Sequence, residues 1–313
     1  MNQYKPEGML ISCTKNREYT SGLEGLRLAL ERQVILEAPV LMSDHNLNLI
    51  IDFCHGIKGI IPKNEVVFSE QEPVKDIAVL TRVGKIVCFK VMGFEKDSSG
   101  DVIAILSRRA AQRECMENYI STLRPGDIIS TRITHIENFG AFVDIGCGIT
   151  SLLSIDTISI SRIAHPSVRF GVGDHIYTVV KGRDEMGRIY VSERELLGDW
   201  EDNASLFKVG ETVTGIIRSV ESYGVFVELR PNLAGLAEFR DDVFPGQKAA
   251  VYIKSIIPEK MKIKLIIIDT NNEKETRDPL EYFIDVSKTM HIDYWRYSPL
   301  SCSKTIESVF DTE

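Results

Sequence analysis

Long uncharged runs are missing from this sequence, and so is the pattern of a signal peptide. The longest stretch without a charged side chain runs only from Ile145 to Ile155, whereas a membrane-spanning helix needs about 20 apolar residues. The N-terminus lacks the ordered charge, apolar core and small-residue cleavage site of a secreted protein. We therefore expect a cytoplasmic protein without a membrane partner.

Closely paired cysteines are missing as well. The cysteines are scattered and never form Cys-x-x-Cys, which argues against a zinc ribbon or a disulfide framework. Reduced thiols in the cytosol fit this spacing better. The residues concerned are Cys13, Cys54, Cys88, Cys115, Cys147 and Cys302.

Enzyme motifs are absent too. The chain has no Walker loop, no Gly-x-Ser-x-Gly, no His-Glu-x-x-His and no dinucleotide fingerprint. Neither Asp144 with Asp156 nor the pair Asp241-Asp242 groups three metal ligands. We expect no catalysis, no cofactor, no metal and no small-molecule substrate. The histidines interpreted as isolated surface or core residues are His135, His165, His175 and His291.

Positive charge is also in short supply. The chain of 313 residues carries 37 Lys and Arg against 45 Asp and Glu, a net charge of −8. That balance argues against a protein that coats nucleic acid by bulk charge, although a local basic surface remains compatible with it. With 43% hydrophobic and 26% charged residues, the composition is that of a soluble folded protein. The length is enough for about two average domains.

An internal repeat organises the chain. Asn138–Ile145 and Ser222–Leu229 share the pattern aromatic-Gly-small-Phe-Val-acid-aliphatic at an offset of 84 residues. A weaker copy lies upstream, where Leu47 and Ile50 stand in place of Phe139 and Phe142. The repeat predicts three units, near 30–110, 124–197 and 208–269.

Each unit has the pattern of short strands. In the second unit, Ala141, Val143 and Ile145 alternate with more polar neighbours, as in a half-buried strand. Five short strands with one long link between the third and the fourth are typical of the OB-fold. The sequence therefore predicts a mostly β protein of three tandem five-stranded OB-fold barrels, of which the first is degenerate.

Helices and extensions are expected around the barrels. Helix formers predict a connecting helix over 108–122. An N-terminal segment, 1–29, is expected to open the fold with a short helix near 21–31. Beyond a polar linker at 271–278, an aromatic C-terminal extension, 279–313, is expected to pack on the third barrel. The aromatic residues expected to cover the otherwise exposed Ile266 and Ile268 are Tyr282, Phe283, Trp295 and Tyr297.

The repeats resemble the RNA-binding domain of the bacterial ribosomal protein S1 family. Phe139-Gly-Ala-Phe-Val143, Val172-Gly173 and Asp184-Glu-Met-Gly-Arg188-Ile-Tyr-Val-Ser192 follow the signature of that family closely. The first unit keeps Lys58-Gly59-Ile60-Ile61-Pro62 and Leu106-Ser107. The resemblance covers about 240 of the 313 residues and implies a short family member with three repeats.

The chain departs from that signature at several positions. Ser154 and Glu238 replace the histidine that follows Gly-Leu-Val, and Pro258 and Lys262 replace the terminal acid and arginine of the third unit. The first unit lacks the aromatic residues. Degenerate first repeats of relatives serve protein contacts, so the resemblance implies contact of the first unit with the 30S ribosomal subunit.

OB-folds bind single-stranded nucleic acid by stacking bases on aromatic rings beside a positively charged groove. Phe139 and Phe142 are three residues apart, and Gly140 allows a bend that turns both rings outward. The alternative to base stacking is that one of these two rings caps the core of the barrel. Arg188 is either a solvated turn residue or an RNA contact, and Asp184 either orients it or accepts a hydrogen bond from a base or ribose.

The third unit has the better charge for following phosphates. Lys260, Lys262 and Lys264 alternate with apolar residues, which predicts one lysine-bearing strand face, either merely solvated or facing RNA. The unit is close to neutral, whereas the second unit is acidic. The full set of expected RNA-binding residues is Phe139, Phe142, Ser154, Asp184, Arg188, Tyr223, Phe226, Lys254, Lys260, Lys262 and Lys264.

We interpret the chain as a non-enzymatic protein that holds single-stranded RNA, mRNA in particular, near the small ribosomal subunit during translation. A regulator of RNA stability or translation that never visits the ribosome is the leading alternative. A protein-docking scaffold whose barrels have lost RNA affinity is the second, and the net charge of −8 agrees with it.

Overall fold

The computed structural model describes residues 3–53, 56–68, 74–97, 99–272, 277 and 280–310. The chain forms two compact units. Unit 1 consists of Met1–Leu123 and Asp144–Thr150, and unit 2 of Arg124–Val143 and Ser151–Glu313. Strands predominate in both, which confirms a mostly β protein of tandem OB-type sheets. Cys54 and parts of the expected linker and extension (273–276, 278, 279 and 311–313) lie outside the described residues.

Unit 1 contains a six-stranded sheet in the order β1-β5-β6-β4-β3-β2. The pairing of β4 with β6 is parallel and the other pairings are antiparallel, as in an OB-fold. The strands are β1 (Leu36–Pro39), β2 (Met42–Ser43), β3 (Leu49–Asp52), β4 (Lys58–Ile61), β5 (Ile86–Lys96) and β6 (Val102–Ser107).

The first unit, expected to be the degenerate one, forms this six-stranded sheet instead of a closed five-stranded barrel. Its first strand is split at Val40 and Leu41, directly after Pro39, which has no N–H to donate. The Val40 N–H donates to the Lys85 carbonyl at 2.9 Å and the Leu41 N–H to the Ile50 carbonyl at 2.8 Å. The two edge strands of the sheet are therefore two halves of one interrupted strand.

Among the described residues of unit 1, four α-helices accompany this sheet. The N-cap of α4 is Ser107, whose hydroxyl accepts a hydrogen bond from the Ala110 N–H at 2.8 Å. A 3₁₀ turn, Ile120–Thr122, follows it, so the connecting helix expected over 108–122 lies where the sequence indicates. The helix expected near 21–31 is α2, and α1 was not expected. The helices are α1 (Thr14–Thr20), α2 (Leu23–Arg32), α3 (Asp76–Leu80) and α4 (Arg108–Asn118).

A buried polar network lies at one side of this unit. Arg108 is fully buried, and its Nε and Nη2 donate to the two carboxylate oxygens of Glu7 at 2.6 and 3.0 Å. Asp144 accepts a hydrogen bond from the Glu7 N–H at 2.7 Å. The network explains why the segment Asp144–Thr150 is counted with unit 1.

The second barrel of the chain is closed, in the order β10-β11-β9-β8-β7, with β9 and β11 parallel. The long link expected between its third and fourth strands contains two 3₁₀ turns, Ile155–Thr157 and Pro166–Val168. The strands are β7 (Ile128–Glu137), β8 (Gly140–Asp144), β9 (Thr150–Ser154), β10 (His175–Arg183) and β11 (Ile189–Ser192).

The third barrel is closed in the same way, in the order β12-β13-β14-β16-β15. A short helix, α5 (Trp200–Ala204), precedes it and begins with a capping box between Asp199 and Asp202. Inward-facing aliphatic side chains fill this barrel, among them Val225 and Val227. The strands are β12 (Thr212–Glu221), β13 (Gly224–Arg230), β14 (Leu233–Ala237), β15 (Lys248–Ile257) and β16 (Lys262–Asn271).

The C-terminal extension forms a small hairpin of β17 (Tyr294–Arg296) and β18 (Glu307–Val309). Trp295 and Tyr297 pack into the apolar cluster of the third barrel, where the Tyr297 hydroxyl donates to the Asn232 carbonyl at 2.5 Å. The expected cover of the lysine-bearing face is wrong, because Ile266 and Ile268 remain 41% and 58% exposed. Trp295 and Tyr297 join the apolar cluster of the third barrel instead, and Tyr282 packs beside Tyr177 of the second barrel.

Candidate nucleic-acid interface

Two aromatic rings form a pair on the second barrel, of which Phe139 is exposed and Phe142 is half-buried. Phe139 lies in the turn before β8, and Phe142 lies on that strand, with ring centroids 6.0 Å apart and planes at 87°. Phe139 is 54% exposed, whereas the flanking Ala141 and Val143 are fully buried. Because Phe139 precedes the strand, both rings point outward without a break in the inward alternation. Gly140 is required here, since a Cβ would run into the Leu153 carbonyl.

The third barrel repeats the pair with the same geometry. The rings of Tyr223 and Phe226 lie 6.1 Å apart with planes at 88°. Tyr223 is 67% exposed, and Val225 and Val227 between and beyond the rings are fully buried. Gly224 again approaches a carbonyl, that of Ala237. Phe226 is half-buried and is not among the described members of the apolar cluster of the third barrel, so its ring does not cap that cluster.

His135 extends the aromatic surface of the second barrel. Its ring lies 6.4 Å from that of Phe142 at 23°, and it hydrogen-bonds Glu137 at 2.7 Å. The expectation that this histidine is isolated is therefore wrong. The pairing of β7 with β8 brings it to Phe142, and the Thr134 hydroxyl donates to the Phe142 carbonyl at 3.0 Å. A sequence motif does not reveal this register.

Each aromatic pair continues across the sheet in a row of cross-strand neighbours. In the third barrel, Phe226 lies opposite Leu236, and Leu236 lies opposite Lys264. In the second barrel, Leu152 lies opposite Tyr190, which is 39% exposed and whose ring rests over Gly182. Tyr190 is thus the counterpart of Lys264 and a residue that the sequence analysis missed, although its outward position follows from the strand alternation.

Asp184 and Arg188 form a self-contained turn between β10 and β11. Asp184 accepts hydrogen bonds from the Met186 and Arg188 N–H groups at 3.0 and 2.9 Å and from Arg188 Nε at 2.7 Å. The hydrogen bonds from Arg188 hold the pKa of the Asp184 carboxyl below its usual value. Asp184 therefore orients Arg188, whose side chain stays 70% exposed.

The hydroxyl of Ser154, on β9, donates to Asp156 at 2.5 Å.

Only part of the expected lysine row lies on one strand. Lys262 and Lys264 are exposed on β16, and Ile263 between them is buried. Lys260 ends a 3₁₀ turn, Pro258–Lys260, and Met261 then takes a left-handed conformation with φ of 47°. The expected position of Lys260 on the same strand as Lys262 and Lys264 is therefore wrong. Lys254 is exposed on β15 beside a register shift.

Among the described residues, no cluster of three His, Cys, Asp or Glu side chains could hold a metal ion. The five described cysteines are free thiols, four of them buried. In the part of the chain that the structure describes, no helix is both long and apolar enough to cross a membrane.

Comparisons with known proteins agree with this geometry. Residues 122–194 match the S1 RNA binding domain. The chain is 28% identical over 294 residues to "Small ribosomal subunit protein bS1" of Mycobacterium tuberculosis, covering 88% of this chain and 59% of that protein. It is 26% identical to the bS1 homolog of Bacillus cereus, covering 84% of this chain and 66% of the homolog. The chain thus spans about three fifths to two thirds of these relatives.

A solved structure of a multidomain protein with nucleic acid binding domains from Streptococcus pneumoniae is 16% identical, with a TM-score of 0.25, over 75% of this chain and 73% of that chain. Tandem OB-type sheets with outward aromatic pairs define a class of nucleic-acid-binding repeat proteins. Within that class, residues 122–194 match the S1 RNA binding domain, and the chain is similar over most of its length to bacterial bS1 ribosomal proteins.

Proposed function

We propose that the second and third barrels bind single-stranded RNA by stacking bases on the pairs Phe139–Phe142 and Tyr223–Phe226. The recurrence of one exposed edge-to-face geometry, 6.0 Å at 87° and 6.1 Å at 88°, carries this proposal. Exposed aromatic rings that the core does not use are favourable stacking platforms for unpaired bases. A duplex hides its bases, so we expect a preference for single strands.

Phosphate contacts complete the proposed interface. Lys264 lies in the row of Phe226 and Leu236 on the third barrel. The other exposed cations proposed to contact phosphates are Arg188, Lys254, Lys260 and Lys262. The net charge of −8 limits how many phosphates the whole protein neutralises. With roughly three or four neutralised phosphates, the logarithm of the binding constant should fall with that of salt at a slope of about −2 to −3.

The first unit is proposed as a protein-contact repeat. Leu47, in a left-handed turn, and Ile50, on β3, occupy the positions of the stacking rings. The relatives are named as small ribosomal subunit proteins, which supports the small ribosomal subunit as a partner. We propose that the first unit makes this contact and that mRNA is the ligand of the other two units, in translation in the cytoplasm. A free regulator of RNA without ribosome contact is the competing outcome.

Sedimentation of the tagged full chain with ribosomes separates these two roles. The lysate is divided, and one half is treated with a nuclease that trims exposed mRNA. We expect the protein to stay with the small subunit in both halves, because the first unit holds the subunit independently of RNA. Loss from the ribosome after nuclease treatment would favour the free regulator.

Fluorescence anisotropy with a labelled RNA of about 12 nucleotides tests the stacking itself. Phe142→Ala and Phe226→Ala should each weaken binding by about 1–3 kcal/mol, the cost of one base–aromatic stack. Tyr294→Ala is the control, because Tyr294 is an exposed aromatic residue on β17, outside both aromatic rows. Equal affinities for all variants would contradict the proposal.

A further inference from the structure

Tyr190 is an exposed aromatic side chain on the last strand of the second barrel. It lies on β11 and is 39% exposed, whereas its neighbours Ile189 and Val191 are buried. Because side chains alternate along a strand, the Tyr190 ring lies on the outer face of the barrel while these two neighbours face inward. The ring is therefore open to solvent at a position that the barrel interior does not use.

Strand pairing places Tyr190 in one row with Phe142. The Ile155 N–H donates to the Phe139 carbonyl at 3.0 Å, an antiparallel register of β8 and β9 in which Phe142 lies opposite Leu152. Leu152 in turn lies opposite Tyr190. Neighbouring strands are about 4.8 Å apart, so about 10 Å separate the backbones at Phe142 and Tyr190. The half-buried Leu152 lies between them and makes the row a continuous apolar surface.

Gly182 provides the space in which the Tyr190 ring lies. It is opposite Tyr190 on β10, at a bulge where the register shifts between Val180 and Gly182. A Cβ on Gly182 would come within 2.7 Å of the Tyr190 hydroxyl oxygen and 3.0 Å of the ring carbon that carries it. Gly182 is not one of the described glycines with a positive φ. Glycine is therefore needed here for the close approach of the ring and not for a left-handed backbone.

The equivalent pair of positions differs in the other two units. In the third barrel, Ser255 and Lys264 lie opposite each other beside the same kind of register shift. In the first unit the pair is Gly93 and Ile105. Of the three units, the second is the one that combines a glycine with an aromatic ring at this place, so the feature is particular to one barrel and not a property of the repeat.

Tyr190 also lies beside the exposed cation of its barrel. The Asp184 N–H donates to the Arg188 carbonyl at 2.9 Å, which continues the pairing of β10 with β11 as far as Arg188. Arg188 and Tyr190 are two residues apart in extended backbone, so their side chains leave the same face of the barrel, about 7 Å apart along the strand. Asp184 holds Arg188 Nε at 2.7 Å. The row of rings therefore ends next to an oriented guanidinium.

We propose that Tyr190 is a third stacking platform of the second barrel, which holds an unpaired base between the Phe139–Phe142 pair and Arg188. The inference rests on the proposed RNA binding and adds a base site to it. A tyrosine ring already seated against the backbone loses little conformational entropy when a base covers its open face. Lys264 carries a charge at the equivalent position, so the third barrel is expected to hold a phosphate where the second holds a base.

RNA affinity of the full chain, measured by anisotropy over a series of salt concentrations, distinguishes a ring from a charge at position 190. Tyr190→Ala should weaken binding about tenfold, as the loss of one stack does, and leave the salt slope unchanged, because no phosphate contact is removed. Tyr190→Phe keeps the ring and should bind as the wild type does. Tyr190→Lys should lose the stack and make the slope steeper by about 0.7, the value of one phosphate on a single strand.

Gly182→Ala tests the seat of the ring without changing the ring. The added methyl group displaces the Tyr190 side chain, so binding should weaken several-fold. The double variant Gly182→Ala/Tyr190→Ala should bind no more weakly than Tyr190→Ala, because both changes act through one ring. Gly93→Ala is the matched control: Gly93 lies at the same bulge of the first unit, with nothing within 4 Å of the added methyl group, and RNA affinity should not change.

Thermal melting checks that the variants fold. Should Tyr190→Ala melt early, Tyr190→Leu carries the test, since leucine keeps an apolar side chain against Gly182 but offers no ring. Unchanged affinity of a folded Tyr190→Ala or Tyr190→Leu, with RNA binding that Phe142→Ala weakens, would overturn the inference and leave the proposed function standing. Equal losses in Tyr190→Phe and Tyr190→Ala would also overturn it, because the hydroxyl and not the ring would then contact the RNA. A wild type that binds no RNA would overturn both.

Discussion

Gly148 lies against the guanidinium of Arg108, in the space that any side chain at position 148 would need. A Cβ there would overlap Arg108 Nη2 and come within 2.6 Å of Glu7 Oε2. The backbone of Gly148 is also left-handed, with φ of +75°. The buried Glu7–Arg108 ion pair can therefore form only because residue 148 has no side chain.

We predict that Gly148→Ala destabilises the protein by about 3–5 kcal/mol, because it displaces a buried ion pair as well as straining the backbone. Gly187→Ala is a close control: Gly187 has the same φ of +75° and nothing within 4 Å of the added methyl group. Its cost should be about 1–2 kcal/mol, from backbone strain alone. Urea unfolding of both variants gives the comparison, and equal losses would refute the steric argument.

The proposal that the first unit does not bind RNA can be tested in the full chain. The double variant Phe142→Ala/Phe226→Ala should lose about 2–6 kcal/mol of RNA binding, roughly the sum of two stacks. Leu47 and Ile50 then offer no ring to replace them. Anisotropy with the same short RNA measures the loss. An affinity no lower than that of either single variant would show that another surface, the first unit included, binds the strand.

The parts of the fold that follow from local pattern could be predicted from the sequence. The repeat at 84 residues located both aromatic pairs, because a turn, a glycine and an inward alternation are properties of neighbouring residues. The parallel closure of each barrel follows from the same order of strands. The split of the first strand was not predicted, although Pro39 was a local signal for it.

Residues that meet across strands or barrels could not be predicted in this way. His135 reaches Phe142 only through the register of β7 and β8, and Arg169 meets Glu228 across 59 positions of the chain. Lys260 was misplaced because a left-handed Met261 interrupts the alternation. These contacts depend on tertiary packing, which a periodic pattern does not encode.

Variants of Asp184 test whether this carboxylate orients Arg188 or contacts RNA directly. Both of its oxygens already accept hydrogen bonds from its own turn. Asp184→Ala should therefore loosen the turn and lower RNA affinity several-fold, whereas Asp184→Asn keeps an acceptor for the backbone and should bind RNA nearly as the wild type does. The measurement is the affinity for an RNA oligonucleotide and for a DNA oligonucleotide of the same sequence. A selective loss of RNA over DNA in Asp184→Asn would show instead that Asp184 contacts the ribose.

The last prediction concerns Glu193, a fully buried carboxyl in unit 2. Burial raises its pKa from 4.5 to about 8, against the opposing effects of Arg169 and of the hydrogen bond from Tyr282. Between these two values the folded protein keeps a proton that the unfolded chain has released. The stability contributed by this group is therefore full below about pH 4.5 and is lost as pH rises to about 8, by at most about 1.4 kcal/mol per pH unit.

Glu193→Gln removes that titration and keeps an oxygen for the Tyr282 hydroxyl, which donates to Glu193 at 3.4 Å. We expect the variant to gain stability relative to the wild type as pH increases from 6 to 8, in urea unfolding of the full chain at each pH. Glu37 and Asp144, whose pKa values burial raises to about 7, titrate in both proteins and cancel in the difference. Glu185→Gln, on the exposed turn, should show no such trend. Parallel stability curves for Glu193→Gln and the wild type would mean that Glu193 is already ionised in the folded barrel at pH 6.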